Sequence, residues 1–197
     1  MSLATAYTFI APCYDAVVDR ATREARRASL SALPPDAGDV LLAGIGTGLD
    51  LPLLPPGPRY TGIDFNSAML ARSRPRAGAL DYRPVRGNAM RLPFADASFD
   101  CVVLHLIVAV VPDSAACLRE AARVARPGAP VLLLDKFLRP GHAAPLRRLL
   151  SPFAAGIATR LDVVFEQAVA GLPLDVVSDE AAAFGGWFRR IRLTRRA

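Results

Sequence analysis

The sequence predicts an α/β fold: a mostly parallel sheet of seven strands, an antiparallel hairpin at one edge, and helices on both faces. Three observations lead there. Short apolar runs alternate with amphipathic stretches, the rhythm a parallel sheet joined by helices writes into a chain. The first five runs end in glycine or polar residues, where ligands collect beyond the carboxyl ends of parallel strands. The last quarter instead carries two strand-like runs with no long helix between them, which suits antiparallel pairing because a parallel crossover needs a dozen or more residues.

The elements follow in order. Residues 1–35 read as an N-terminal helical cap segment in which Val17, Ala21, Ala25 and Ala28 recur at helical spacing. Arg20, Arg23 and Arg27 fall on another side of that helix, a face suited to solvent or to anionic lipid. LPPDAG, from Leu33 to Gly38, is the hinge into a core spanning residues 36–140. Strands are placed near Val40 to Ala43, Tyr60 to Ile63, Tyr82 to Val85, Phe99 to Leu104 and Val131 to Leu134. Between the last two, Cys117, Ala121 and Val124 mark a helix that starts near Pro112 to Ser114. RPGAP, from Arg126 to Pro130, is a turn with Gly128 at positive φ. Residues 141–197 supply a helical insert over Leu146 to Ala170, interrupted near Pro152 and Gly156, then the edge strands LPLDVVSDE and WFRRIRL.

A chain of 197 residues, 52% hydrophobic, suits one domain. The formal net charge of +6 comes almost wholly from arginine, since Lys136 is the single lysine. The arginines are spread along an Ala- and Pro-rich chain, so composition bias accounts for much of the charge, and no aromatic-interleaved basic patch for nucleic acid stands out. The three cysteines, Cys13, Cys101 and Cys117, have neither disulfide nor zinc spacing. No metal is expected, and a reducing cytoplasm fits. The longest apolar run, Cys101 to Val111, falls short of the roughly 18 residues a membrane span needs. The expectation is a cytoplasmic protein, with peripheral membrane contact open through the Arg-rich helix.

LLAGIGTGLDLP places Gly44, Gly46 and Gly48 after the first strand, and Asp64 closes the second. Glycine lets backbone N–H groups approach a ligand with no Cβ in the way. An acid roughly 20 residues on, at a strand end, is placed to accept from both hydroxyls of a ribose. A dinucleotide fingerprint would need a third glycine where Leu49 stands and a long helix where Pro52, Pro55 and Pro56 intervene. NAD(P) is therefore the weaker fit. S-adenosylmethionine, with a ribose and an adenine but no phosphate, is the better one.

The chain resembles the class I S-adenosylmethionine-dependent methyltransferases, and the branch that holds ubiquinone/menaquinone-biosynthesis C-methyltransferases and phosphatidylethanolamine N-methyltransferases. The matching segments are YDAVVD (Tyr14 to Asp19), GIGTGLDLPLLP (Gly44 to Pro55), GIDFNSAML (Gly62 to Leu70), GNAMRLPFADASFDCVV (Gly87 to Val103) and LREAARVARPGAPVLLLDKF (Leu118 to Phe137). The resemblance implies a Rossmann-like fold and methyl transfer to a small molecule or lipid head group, with S-adenosylhomocysteine as product. It implies that Gly44, Gly46 and Gly48 line the methionine portion of the cofactor, that Asp64 holds the ribose, that Phe65 lies on the adenine, and that Asn88 with Ala89 meets the adenine edge. Two positions depart from the family. Leu42 stands where an acid is common, and Asn88 where an acid faces the adenine amine, which leaves a weakened or non-catalytic cofactor-binding protein as an alternative. His105, after the fourth strand, is the candidate general base and a cofactor neighbour, or else a packed histidine. Tyr14 is the candidate to close over the cofactor or touch the acceptor, or else packs a helix. Asp135 and Lys136 leave the fifth strand on the acceptor side, or pair with each other at the surface. Oligomeric state is not legible.

Overall fold

In the computed structural model, residues 18–138, 163–183 and 186–197 are described. The strands are β1 (Asp39–Ala43), β2 (Arg59–Asp64), β3 (Tyr82–Arg86), β4 (Cys101–His105), β5 (Pro130–Asp135), β6 (Leu174–Ala183) and β7 (Phe188–Arg195). They form one seven-stranded sheet in the order β3-β2-β1-β4-β5-β7-β6. Strands β1 to β5 run parallel, and β7 lies antiparallel between β5 and β6. Strand order reverses between β1 and β4, so the crevice that a doubly wound sheet offers to ligands opens beyond the ends of these two strands. Pro84 sits in β3 at the sheet edge, where a missing N–H costs the ladder nothing.

Period-two alternation sends side chains to two cores. Leu41, Ala43, Val102, Leu104, Val131 and Leu133 pack on one face with α3 (Ser114–Val124) and α4 (Phe165–Val169). Val40, Leu42, Cys101, Val103 and Leu132 pack on the other, against Leu30 of helix α1 (residues 18–30) and Leu70 of α2 (Ser67–Ser73). The predicted helix start near Pro112 to Ser114 is real: Asp113 is the N-cap, accepting the Ala116 N–H at 2.9 Å. Gly128 takes φ 79° in the predicted turn before β5.

Two differences from the sequence reading have physical causes. Strand β4 begins at Cys101 because Asp100 ends the stretch before it: its carboxylate accepts the N–H groups of Gly38 and Asp39 and pairs with Arg126. Phe99 makes only an isolated bridge to Ala125. The buried face of α1 is also less apolar than its alanine spacing suggests, since Thr22, Arg26 and Ser29 are buried beside Ala25 and Leu30. Tyr14, Cys13, Val17 and the part of the insert around Pro152 and Gly156 lie outside the described residues.

Candidate cofactor site

The loop after β1 is shaped by three glycines that do three different things. Each has positive φ: 69° at Gly44, 55° at Gly46 and 84° at Gly48. A Cβ on Gly44 would stand 2.5 Å from the Ile107 side chain, so here glycine admits the loop that follows β4. A Cβ on Gly48 would stand 2.7 Å from Leu51 and 2.8 Å from Ser73. At Gly46 nothing lies within 4 Å of that position. The bare backbone at Gly46 borders open space, and a side chain there would fill it.

Neighbouring strands hold the loop in place. The Ile63 carbonyl accepts the N–H groups of Gly44 at 2.8 Å and Ile45 at 3.1 Å. Asp64 Oδ2 accepts from the Gly46 N–H at 2.9 Å, and Oδ1 accepts from Asn66 at 2.8 Å. Both oxygens are thereby oriented, the Phe65 N–H also turns to the carboxylate, and the roughly four acceptor positions of a carboxylate are not all taken. Burial pushes the Asp64 pKa above the ordinary carboxylate range, against the opposing pull of these N–H groups. Beside it the Phe65 ring is 70% exposed, an open aromatic face next to a polar grip. Asn66 in turn caps α2 by accepting from Ala68 at 2.9 Å.

Asn88 and Ala89 follow β3. The Asn88 Oδ1 accepts the Met90 N–H at 2.9 Å, an Asx turn that fixes the loop, while Ala89 is buried in the core. Leu42 is 1% exposed and belongs to the core under α1 and α2. Asp135 is fully buried: its oxygens accept the N–H groups of Ala109 at 2.9 Å and Lys136 at 2.8 Å. It braces the loop after β4 instead of pairing at the surface. Burial raises its pKa and lowers that of Lys136, whose Nζ lies 5.9 Å from the Phe188 ring centroid.

His105 is 6% exposed, and both ring nitrogens are engaged. Nδ1 meets Asp50 Oδ2 at 3.1 Å, and Nε2 meets Ser29 Oγ at 2.9 Å. Asp50 also pairs with Arg26 at 3.2 Å. Burial works to raise the Asp50 pKa, but the charges and hydrogen bonds of His105 and Arg26 outweigh it and hold the carboxyl below its ordinary value.

Several residues that shape this site carry no sequence signal. Arg76 donates to the Thr47 carbonyl at 2.9 Å and to Thr47 Oγ1 at 2.6 Å. Arg26, 1% exposed, donates to the Leu49 carbonyl at 2.5 Å. Ile107 fills the space Gly44 leaves. A chain offers no local pattern for contacts 23 or 29 residues apart. Behind the loop, where Pro52 stands in place of a long helix, there is a single 3-10 turn, Leu51–Leu53.

A strand order that reverses between β1 and β4, a glycine loop with an open face, and an oriented carboxylate closing β2 make this a doubly wound α/β fold with a candidate ligand site at its switch point. The comparisons fix its class. The methyltransferase domain family matches residues 41–133. A phosphatidylethanolamine N-methyltransferase of Cereibacter sphaeroides is 34% identical over 188 residues, covering 93% of each chain. A demethylmenaquinone methyltransferase of Roseiflexus sp. is 34% identical over 77% of this chain and 69% of that protein. A chain of the solved complex between the Haloferax volcanii Trm112 methyltransferase activator and a methyltransferase superimposes with a TM-score of 0.81 at 18% identity, over 98% of both chains. The chain belongs to the S-adenosylmethionine-dependent methyltransferases and has their Rossmann-like fold.

Proposed function

We propose that this chain moves a methyl group from S-adenosylmethionine to a nucleophile on a small molecule or lipid head group, an ethanolamine-type amine being the first acceptor to test. The observation that carries the cofactor half of this reading is Gly46: its α-carbon borders open space while its N–H is fixed on Asp64. The similarity over nearly the whole chain to a phosphatidylethanolamine N-methyltransferase supports the acceptor half.

The residues present fit the cofactor. Asp64 offers its free lone pairs to the ribose hydroxyls, Phe65 its exposed ring to the adenine, and Gly46 its bare backbone to the methionine arm. We assign Ala89 and the Asn88 turn to the edge of the adenine. When bound, the cofactor supplies a methyl already activated by a sulfonium. What remains for the protein is to align the acceptor and keep water out. His105 serves this by holding Asp50, because its nitrogens are spent on protein atoms. Asp135 serves it by fixing the loop after β4. Among the described residues no group of three or more His, Cys, Asp or Glu could hold a metal, and no helix is long and apolar enough to cross a membrane. Arg20 and Arg27 of α1 are exposed, a basic face that we assign to contact with anionic lipid.

Calorimetric titration with S-adenosylhomocysteine and with NAD tests the cofactor. A labelled-methyl screen over phosphatidylethanolamine vesicles, small amines and phenols then tests the acceptor. Saturable binding of the homocysteine product and none of NAD is expected, with label found first in the lipid. Binding of NAD alone would sink the cofactor assignment. Label entering phenols but no amine would sink the head-group assignment.

A further inference from the structure

The loop that bears Gly44, Gly46 and Gly48 lacks the long helix that usually stiffens such a loop from behind, because Pro52 leaves only the turn Leu51–Leu53. Polar side chains grip it instead. On one side Arg76 donates twice to Thr47, at 2.9 Å to its carbonyl and 2.6 Å to its hydroxyl. On the other, Arg26 of α1 donates to the Leu49 carbonyl at 2.5 Å and to Asp50 Oδ1 at 3.2 Å. The same guanidinium takes Thr22 Oγ1 at 3.1 Å through Nε and pairs with Asp19 through its remaining nitrogen. From Asp50 the chain of contacts continues through His105 to Ser29, so it leaves α1 at Arg26 and returns to it at Ser29.

The order Ser29–His105–Asp50 has the connectivity of a nucleophilic triad, and exposure decides against that use. Ser29 is 2% exposed and sits inside α1, whose backbone N–H groups are spent within the helix, so an acyl group would find neither access nor oxyanion donors. With Asp50 held ionised, Nδ1 of His105 donates to it, and Nε2 is hydrogen-bonded to the Ser29 hydroxyl. The arrangement holds. It does not react.

We propose that Arg26, Asp50, His105 and Ser29 are positioning residues that make α1 the support of the glycine loop, with Arg76 as its counterpart on the opposite side. Cofactor affinity then depends on side chains that reach the loop from behind and never touch the ligand. This rests on the reading that the glycine loop receives the cofactor, and it names what keeps that loop in shape. A buried arginine shared between two carboxylates suits the task, because its planar fork fixes direction as well as distance.

The test uses the full chain. Ser29→Ala and His105→Gln are the mild variants, Arg26→Met and Arg76→Met the severe ones, and Arg196→Ala is a control, because Arg196 pairs with Asp175 at the far sheet edge. Calorimetry with S-adenosylhomocysteine is run beside thermal melts, and amide hydrogen exchange is followed in the protein without ligand. Ser29→Ala and His105→Gln should each weaken binding about fivefold, the scale of one lost buried hydrogen bond. In the same variants the amides of residues 44–50 should exchange faster while those of β5 and β7 stay unchanged. Arg26→Met combined with His105→Gln should lose less than the product of the two single losses, since both act through Asp50. Arg26→Lys should recover part of the Arg26→Met loss.

If the wild type binds and the mild variants bind within twofold of it with unchanged loop exchange, the support role is wrong, whatever happens to their melting points. If the wild type binds no S-adenosylhomocysteine, the cofactor reading fails and takes this proposal with it. If the loop amides exchange faster only where the whole protein melts earlier, these residues are general fold contacts and the proposal is overturned.

Discussion

At the scale of single residues, the loop glycines separate folding from binding, because a methyl group added at each meets something different. Gly44→Ala forces a Cβ to 2.5 Å from Ile107 at φ 69°. We expect a loss of about 3 kcal/mol in chemical denaturation, from strain at positive φ plus overpacking. Gly46→Ala meets no protein atom, so only the backbone term of about 1–2 kcal/mol applies. Its methyl enters the space assigned to the ligand, and affinity for S-adenosylhomocysteine should fall about tenfold or more. Equal binding by wild type and Gly46→Ala would remove the glycine loop from the site. Asp64 carries a second residue-scale prediction. In the proposed complex its ionised form accepts from the ribose hydroxyls, and burial has raised its pKa above the ordinary aspartate value. Protonation therefore begins at a pH where an ordinary aspartate, with pKa about 3.9, is still charged, and affinity should decline as pH falls through that raised value. Asp64→Ala should cost at least about 1.5 kcal/mol of binding near neutrality, and Asp64→Asn should flatten the acid limb. An unchanged limb in Asp64→Asn would assign the titration to another group.

At the scale of elements, helix α3 shows how a local signal becomes a tertiary brace. Asp113 caps its start. Near its end Arg123 reaches Glu120, Asp96 and the carbonyls of Phe94 and Leu92, which ties the segment before β4 onto the helix. Asp113→Ala should lower stability by about 1 kcal/mol, the usual loss of an N-cap, without changing cofactor affinity. A change in affinity instead would show that α3 transmits to the site. The same helix explains what was legible beforehand. Its apolar period and its cap lie within a dozen consecutive residues, as do the strand runs and the turn at Gly128, so sequence alone placed all seven strands to within a few residues. The glycine loop and Asp64 were legible because backbone conformation and strand ends demand particular residue types. Arg26 was not, because one turn of α1 reads identically whether its arginine faces water or a carboxylate 24 positions away. His105 was legible as a position and ambiguous as a role, since its partners Ser29 and Asp50 come from two other elements 76 and 55 residues distant.

At the scale of the whole molecule, the carboxylates whose pKa values the fold shifts fall into two groups with opposite consequences for acid stability. Asp50, Glu120 and Asp100 have pKa values lowered in the fold. Burial opposes the shift at Asp50 and Asp100 but is outweighed by His105 and Arg26 in one case and by Arg126 and backbone N–H groups in the other; at Glu120 the hydrogen bond from Arg123 leads. A lowered value means the unfolded chain binds protons first as pH falls. The stability from these three is present above the unfolded carboxylate range, about pH 4, and is lost as pH drops through their folded values. Asp64 and Asp135 have values raised, chiefly by burial. For these the folded state takes protons first, so the cost of their buried charge is relieved as pH falls through the raised values. The two effects act in sequence on acidification: first relief, then loss, the loss steepened by self-repulsion in a chain already at +6. The urea midpoint of the free protein should therefore hold level or rise as pH falls from neutrality toward the ordinary carboxylate range, then fall steeply below about 4. Asp64→Asn, lacking one of the raised groups, should show less of the early rise and the same late fall. A midpoint that declines steadily from pH 7 in the wild type would mean that Asp64 and Asp135 carry no cost in the fold, and that the lowered carboxylates alone govern its response to acid.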